Sequence, residues 1–153
     1  MSGGHSSLER LPASLASVDA LAGTDAVCCL IMEDERPLPG AAGFVDWRLN
    51  GALSRVLKAG FFQGVPGEKL LVPTLGQVPA PRLFAVGLGR ASAVTALGLE
   101  HALHQAGEML AKAQVSSVAL AFPTLPKALE SSRDELVTRA FKSRFPGRVA
   151  VFA

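Results

Sequence analysis

The 153-residue chain is poor in cysteine, in charge and in long apolar runs, and each shortage closes off a class of function. Its two cysteines, Cys28 and Cys29, are adjacent. With no Cys-x-x-Cys pair and no histidine close by, they do not read as part of a zinc site. Inside the apolar run Ala26 to Met32 they project to opposite faces of a strand, which disfavours a disulfide between them and leaves two small core residues. Charged residues are 18% of the chain against 49% hydrophobic, a globular balance, and the net charge of +2 does not by itself call for a nucleic-acid or membrane partner. No apolar run approaches the ~18 residues of a membrane span. The opening MSGGHSSLER lacks the basic and apolar regions of a signal peptide. A flexible tail over residues 1–12, one domain over residues 13–153 and a cytoplasmic setting are expected.

Catalytic constellations are lacking as well. There is no Gly-x-Ser-x-Gly, and neither cysteine has a base in its sequence context. The 13 acidic residues are scattered, whereas two-metal hydrolysis needs several carboxylates holding ions about 3.5–4 Å apart. Glu100, His104 and Glu108 share one face of a predicted helix, but a single helix supplies too few convergent ligands for a metal. No metal and no cofactor are expected.

Hydrophobic periodicity is plentiful. Ser14 to Val18 reads as an edge strand, Ala26 to Met32 as a strand, and Glu33 to Gly43, with Pro37 and Pro39, as a loop. Asp46 sits where a helix N-cap belongs, and the helix it opens is expected to run to about Ala59, with Leu49, Ala52, Leu53, Val56 and Leu57 on one face and Gly60 as the stop. Gly64 to Gly67 reads as a turn and Leu70 to Val72 as a short buried strand. Arg82 to Val86 is a further strand, followed by a long helix from about Ser92 or Thr95 to Lys112. Val115 to Phe122 and Val149 to Phe152 complete the strands, and Ser132 with Glu135 reads as the capping box of the last helix. Strands alternating with helices predict a largely parallel or mixed sheet covered on both faces.

The run DWRLNGALSRVLKAGFF, followed by PGEKLLVPT and then PRLFAVGLGR, resembles the N-terminal domain of the M17 leucine aminopeptidase family. The resemblance covers roughly residues 13 to 122. It implies a macro-like α/β/α three-layer domain which, in the full-length enzymes, precedes a separate metallopeptidase domain. The two-metal ligands of the family belong to that other domain, and no Asn-Thr-Asp-Ala-Glu-Gly-Arg signature appears here. A complete protein ending at Ala153 is therefore expected not to be a peptidase.

Two places remain as candidate sites. Leu83 to Val86 leads into Gly87-Leu88-Gly89-Arg90 and then a helix, the layout of a phosphate-binding βα turn. The third glycine of a dinucleotide fingerprint is replaced by Ser92, so Gly87 and Gly89 read first as turn residues, with anion binding assisted by Arg90 as the alternative. Trp47 and Arg48, at the expected head of the central helix, read first as Trp47 in the core and Arg48 in solvent; the sharper alternative is a docking anchor, since both belong to residue types enriched in interface hot spots. Lys127, Arg133, Arg139, Lys142, Arg144 and Arg148 make the last third basic, but Glu130, Asp134 and Glu135 are interleaved, so a solvated helix face is preferred to a nucleic-acid surface. The expected role is a protein-interaction, regulatory or assembly module with a protein partner or a second copy. The alternatives are a module binding a phosphorylated, nucleotide-like compound at Gly87 to Arg90, and a fragment of a leucine aminopeptidase.

Overall fold

Seven apolar residues in a row, Ala26–Met32, suit a strand covered on both faces, and they form β2, every residue of it buried. The computed structural model of the chain describes residues 8–153 and places β2 inside a six-stranded sheet. β4 (Arg82–Gly89) and β5 (Ser117–Ala121) flank β2 in parallel. β6 (Arg148–Phe152) lies parallel to β5, and β1 (Glu9–Leu11) parallel to β6 at one edge. At the other edge β3 (Lys69–Pro73) pairs antiparallel with β4, giving the order β1-β6-β5-β2-β4-β3.

Side-chain alternation along β2 divides the interior into two cores. Val27, Cys29 and Ile31 face α1 (Leu15–Asp19), α2 (Gly40–Arg48) and α3 (Ala52–Ala59). Cys28, Leu30 and Met32 face α4 (Ala96–Lys112) and α5 (Lys127–Phe141). The molecule is the three-layer α/β/α domain with a mixed, largely parallel sheet that the sequence predicts, and the two cysteines separate into opposite cores as expected. Leu53, Leu99, Leu103 and Leu110 are fully buried; each contributes about 1.5–3 kcal/mol of apolar burial.

Several local expectations are corrected. Ser14 to Val18 is not an edge strand: Ser14 accepts from the Ser17 amide and opens α1, and the edge strand is β1, inside the stretch assigned to a tail. The remainder of that tail, residues 1–7, lies outside the described residues. Residues 40–43 are not loop but the first turn of α2, which starts after Pro39, whose fixed φ suits a helix entry. The expected single helix from Asp46 to Ala59 is two helices, because Asn50 (φ 56°) and Gly51 (φ 79°) take left-handed conformations between them. β3 is half-exposed rather than buried, since it is an edge strand with no helix over one of its faces. The last helix begins at Lys127, so Ser132 is interior and its hydroxyl donates back to the Ala128 carbonyl instead of capping.

Candidate docking surface

Asp46 keeps a capping role from an unexpected position. It lies in the last turns of α2, and its Oδ1 accepts from the backbone amides of Leu53 (2.8 Å) and Ser54 (3.1 Å), while Oδ2 accepts from the Ser54 hydroxyl. The carboxylate thus satisfies the first turn of α3 across the Asn50–Gly51 break and fixes the angle between the two helices.

That angle presents Trp47. The indole sits at the C-terminal end of α2, not at a helix head, and is 63% exposed; the core reading for it is overturned. Arg48 covers it, with the guanidinium carbon 5.1 Å from the ring centroid. Arg48 is not simply solvated either. Its Nε and Nη2 donate to the two oxygens of Asp19 at 2.8 and 2.7 Å, a two-pronged pair that ties α2 to α1. The hydrogen bond from Arg48 holds the Asp19 carboxyl below its usual range.

Open grooves lie on either side of the indole. One, about 600 Å³, is lined by Leu15, Leu38, Gly40, Gly43, Phe44 and Trp47. The other, about 430 Å³, shares Leu38, Gly43 and Trp47 and adds Asp46, Asn50 and Ser54. Gly43 admits the close approach of the Leu38 backbone here: a Cβ there would stand 2.5 Å from the Leu38 carbonyl oxygen. Phe44 is also partly exposed, at 37%. An aromatic side chain offers about 150–250 Å²; at about 25 cal/mol per Å², the exposed part of Trp47 retains about 2–4 kcal/mol of unused apolar burial. Sequence reasoning missed Phe44, although its spacing from Trp47 is that of neighbours on one helical face.

The Gly87–Arg90 turn is organised differently. A Cβ at Gly87 would come within 2.0 Å of the Val65 carbonyl oxygen, so this glycine admits the close approach of the Gly64–Val65 backbone. Gly89 (φ 94°) lies at the β2–β4 register shift. The amides a phosphate would use already have acceptors: Gly87 donates to the Glu68 carbonyl, Gly89 to the Gly64 carbonyl and Ala91 to Asp34 Oδ1. Thr95 caps α4 on the Gly98 amide. Arg90 is exposed and reaches Asp34 only at 3.9 Å. A groove of about 340 Å³ runs beside this turn, lined by Arg90, His101, Gln105 and Glu33 over apolar side chains such as Val94 and Leu88.

Some of the other candidates are ion-paired. His104 lies 3.8 Å from Glu100, which also meets Arg139, and Arg139 reaches Glu135. Arg133 and Arg10 converge on Asp134. Among the described residues no group of three or more His, Cys, Asp or Glu side chains converges to hold a metal. Both thiols are buried, and burial pushes the Cys28 thiol far up and the Cys29 thiol up to about 12, which disfavours the thiolate. Among the described residues no helix is long and apolar enough to cross a membrane.

Comparison with known proteins places this geometry. The family model described as "Cytosol aminopeptidase family, N-terminal domain" matches residues 27–143. A probable cytosol aminopeptidase of Sulfurihydrogenibium is 40% identical over 67 residues, 44% of this chain and 13% of that protein. One of Burkholderia orbicola is 31% identical over 106 residues, 68% of this chain and 21% of that protein. The chain therefore spans about a fifth or less of the length of these relatives. Among solved structures, a mutant of tomato leucine aminopeptidase superimposes with a TM-score of 0.69 at 17% identity, over 96% of this chain and 32% of that one. A macrodomain protein from Streptomyces coelicolor does so with a TM-score of 0.66 at 17% identity, over 96% of this chain and 99% of that one. At such identities the structural likeness speaks to the fold, which is macro-like. The family match takes in well over half of the sequence, and the chain accordingly belongs to the cytosol aminopeptidase family, through that family's N-terminal domain.

Proposed function

We propose that this chain acts as a non-catalytic docking module, holding a protein partner or a second copy of itself through the end of α2. The observation that carries the reading is Trp47, 63% exposed between two open grooves and braced by an arginine that is itself ion-paired. Exposed tryptophan held in a fixed orientation is the residue type that dominates interface energetics. A non-enzymatic role fits the scattered carboxylates and the buried, protonated thiols. A cytosolic setting is supported by the two unpaired thiols and by the description of the relatives. Affinity capture of the tagged chain at moderate salt, set against a Trp47→Ala/Arg48→Ala control, tests the proposal. Partners that persist unchanged in the control would sink it.

A second reading rests on Arg90, loosely held at the rim of the groove beside α4. In it, a phosphorylated compound binds at Gly87 to Arg90. A thermal shift with nucleotides that vanishes in Arg90→Ala would support this reading. Absence of any shift would remove it.

A further inference from the structure

The charges around Trp47 narrow the kind of partner, and this inference rests on the docking reading just given. The carboxylates that border the surface are committed inside the chain. Asp46 accepts from two amides and a hydroxyl, and Asp19 is held by both prongs of Arg48. The cations of α3 are not committed in the same way. Arg55 places Nη1 on the Asn50 carbonyl, at the wall of the second groove, and no carboxylate of the described residues pairs with it. Lys58 is exposed one helical turn beyond Ser54, another lining residue, and it too has no carboxylate partner among the described residues. The apolar groove therefore adjoins a more polar one, with Asp46 in its wall, whose α3 side carries Arg55 and Lys58, two cations against one carboxylate and neither of them in an ion pair among the described residues.

We infer that the surface formed by Phe44, Trp47, Arg55 and Lys58 takes an acidic peptide segment, one carrying a bulky apolar residue flanked by Asp or Glu. The apolar residue enters a groove beside the indole, where water leaves a large nonpolar surface. The flanking carboxylates meet Arg55 and Lys58, which gives the complementarity of sign that steers partners and rejects basic ones. Arg48 contributes by holding the indole, since its own charge is already matched by Asp19.

The test is selection from a random-peptide display library against the purified chain, followed by fluorescence titration with a synthetic peptide of the enriched sequence. Enrichment of acidic residues around a Leu, Phe or Trp is expected. Binding should disappear in Trp47→Ala, weaken by about tenfold or more in Arg55→Glu/Lys58→Glu, and fall as ionic strength rises. All of these side chains are on the surface, so unchanged thermal melting confirms that the variants fold. A neutral or basic consensus, or affinity indifferent to the charge reversal, overturns the acidic-peptide inference while leaving docking at Trp47 intact. Self-association of the chain by light scattering that depends on Trp47, with no peptide enriched, overturns it in favour of a second copy. Enriched peptides that bind Trp47→Ala as well as the native chain overturn both readings.

Discussion

Removal of the Asp46 carboxylate leaves the first-turn amides of α3 and the Ser54 hydroxyl without their acceptor. Asp46→Ala is expected to lower the unfolding free energy by about 1–3 kcal/mol, read from urea denaturation, because a lost cap and a stranded buried donor act together. A second carboxylate works in a similar way between α3 and β3. Glu68 Oε1 accepts from the amides of Gln63, Gly64 and Val65, and these bonds, led by the one from Gln63, hold its pKa below the ordinary 4.5. A carboxyl whose pKa is lower folded than unfolded contributes stability at pH above the unfolded value and loses it as pH falls through the folded one. Denaturation midpoints measured across the acid range should therefore drop below about pH 4.5, and more steeply in the native chain than in Glu68→Gln. Equal slopes would show that Glu68 is not linked to folding.

The packing of elements explains which features could be read in advance. β2, β4, β5 and α4 announce themselves, because an unbroken apolar run or a long 3.6-residue period leaves one solution each. α2 was illegible: its buried side is made of Ala41, Ala42 and Val45, small residues that give little amphipathic contrast, and its start is crowded with proline and glycine. The break after Arg48 was hidden by good helix formers on both sides of Asn50–Gly51. Exposure of Trp47 is only the second reading in the sequence, since an indole at helical spacing normally marks a core; its place at the C-terminal end of α2 leaves it in solvent instead. The role of Gly87 was read as turn geometry, whereas the structure assigns it to contact between β4 and the Gly64–Val65 backbone. Gly87→Ala forces those segments apart, and a loss of about 2–3 kcal/mol or more is expected, as for other overpacked interiors. A thermal melt unchanged by the substitution would contradict that contact.

At the scale of the whole molecule, the sheet is a partition with a thiol on either side. Cys28 is reached only by stripping away α4 and α5, Cys29 only by removing α1 to α3. Labelling of either with a thiol reagent at neutral pH should be slow in the native chain and should accelerate with denaturant in parallel with global unfolding. Mass spectrometry of the labelled peptide distinguishes the two. Fast modification of one thiol without the other would reveal a helical layer that detaches independently. The fold itself was legible at this scale because strand and helix alternation permits few layered arrangements. The position of the charges around the docking surface was not, since it depends on which acids are consumed by pairing across the chain.

β1 is three residues long, mostly exposed, and joined to the sheet through Glu9 to Leu11 opposite Ala150 to Phe152, with the Ala153 amide donating to the Leu11 carbonyl. Two segments far apart in sequence thus meet at one margin of the sheet. On the β1 side this contact gains little from burial, so β1 opens before the rest of the sheet. In amide-exchange terms, protons of β1 trade with solvent through local unzipping, while those of β2 wait for the entire molecule to come apart. β1 can therefore loosen without disturbing the Asp46-braced corner that carries Trp47.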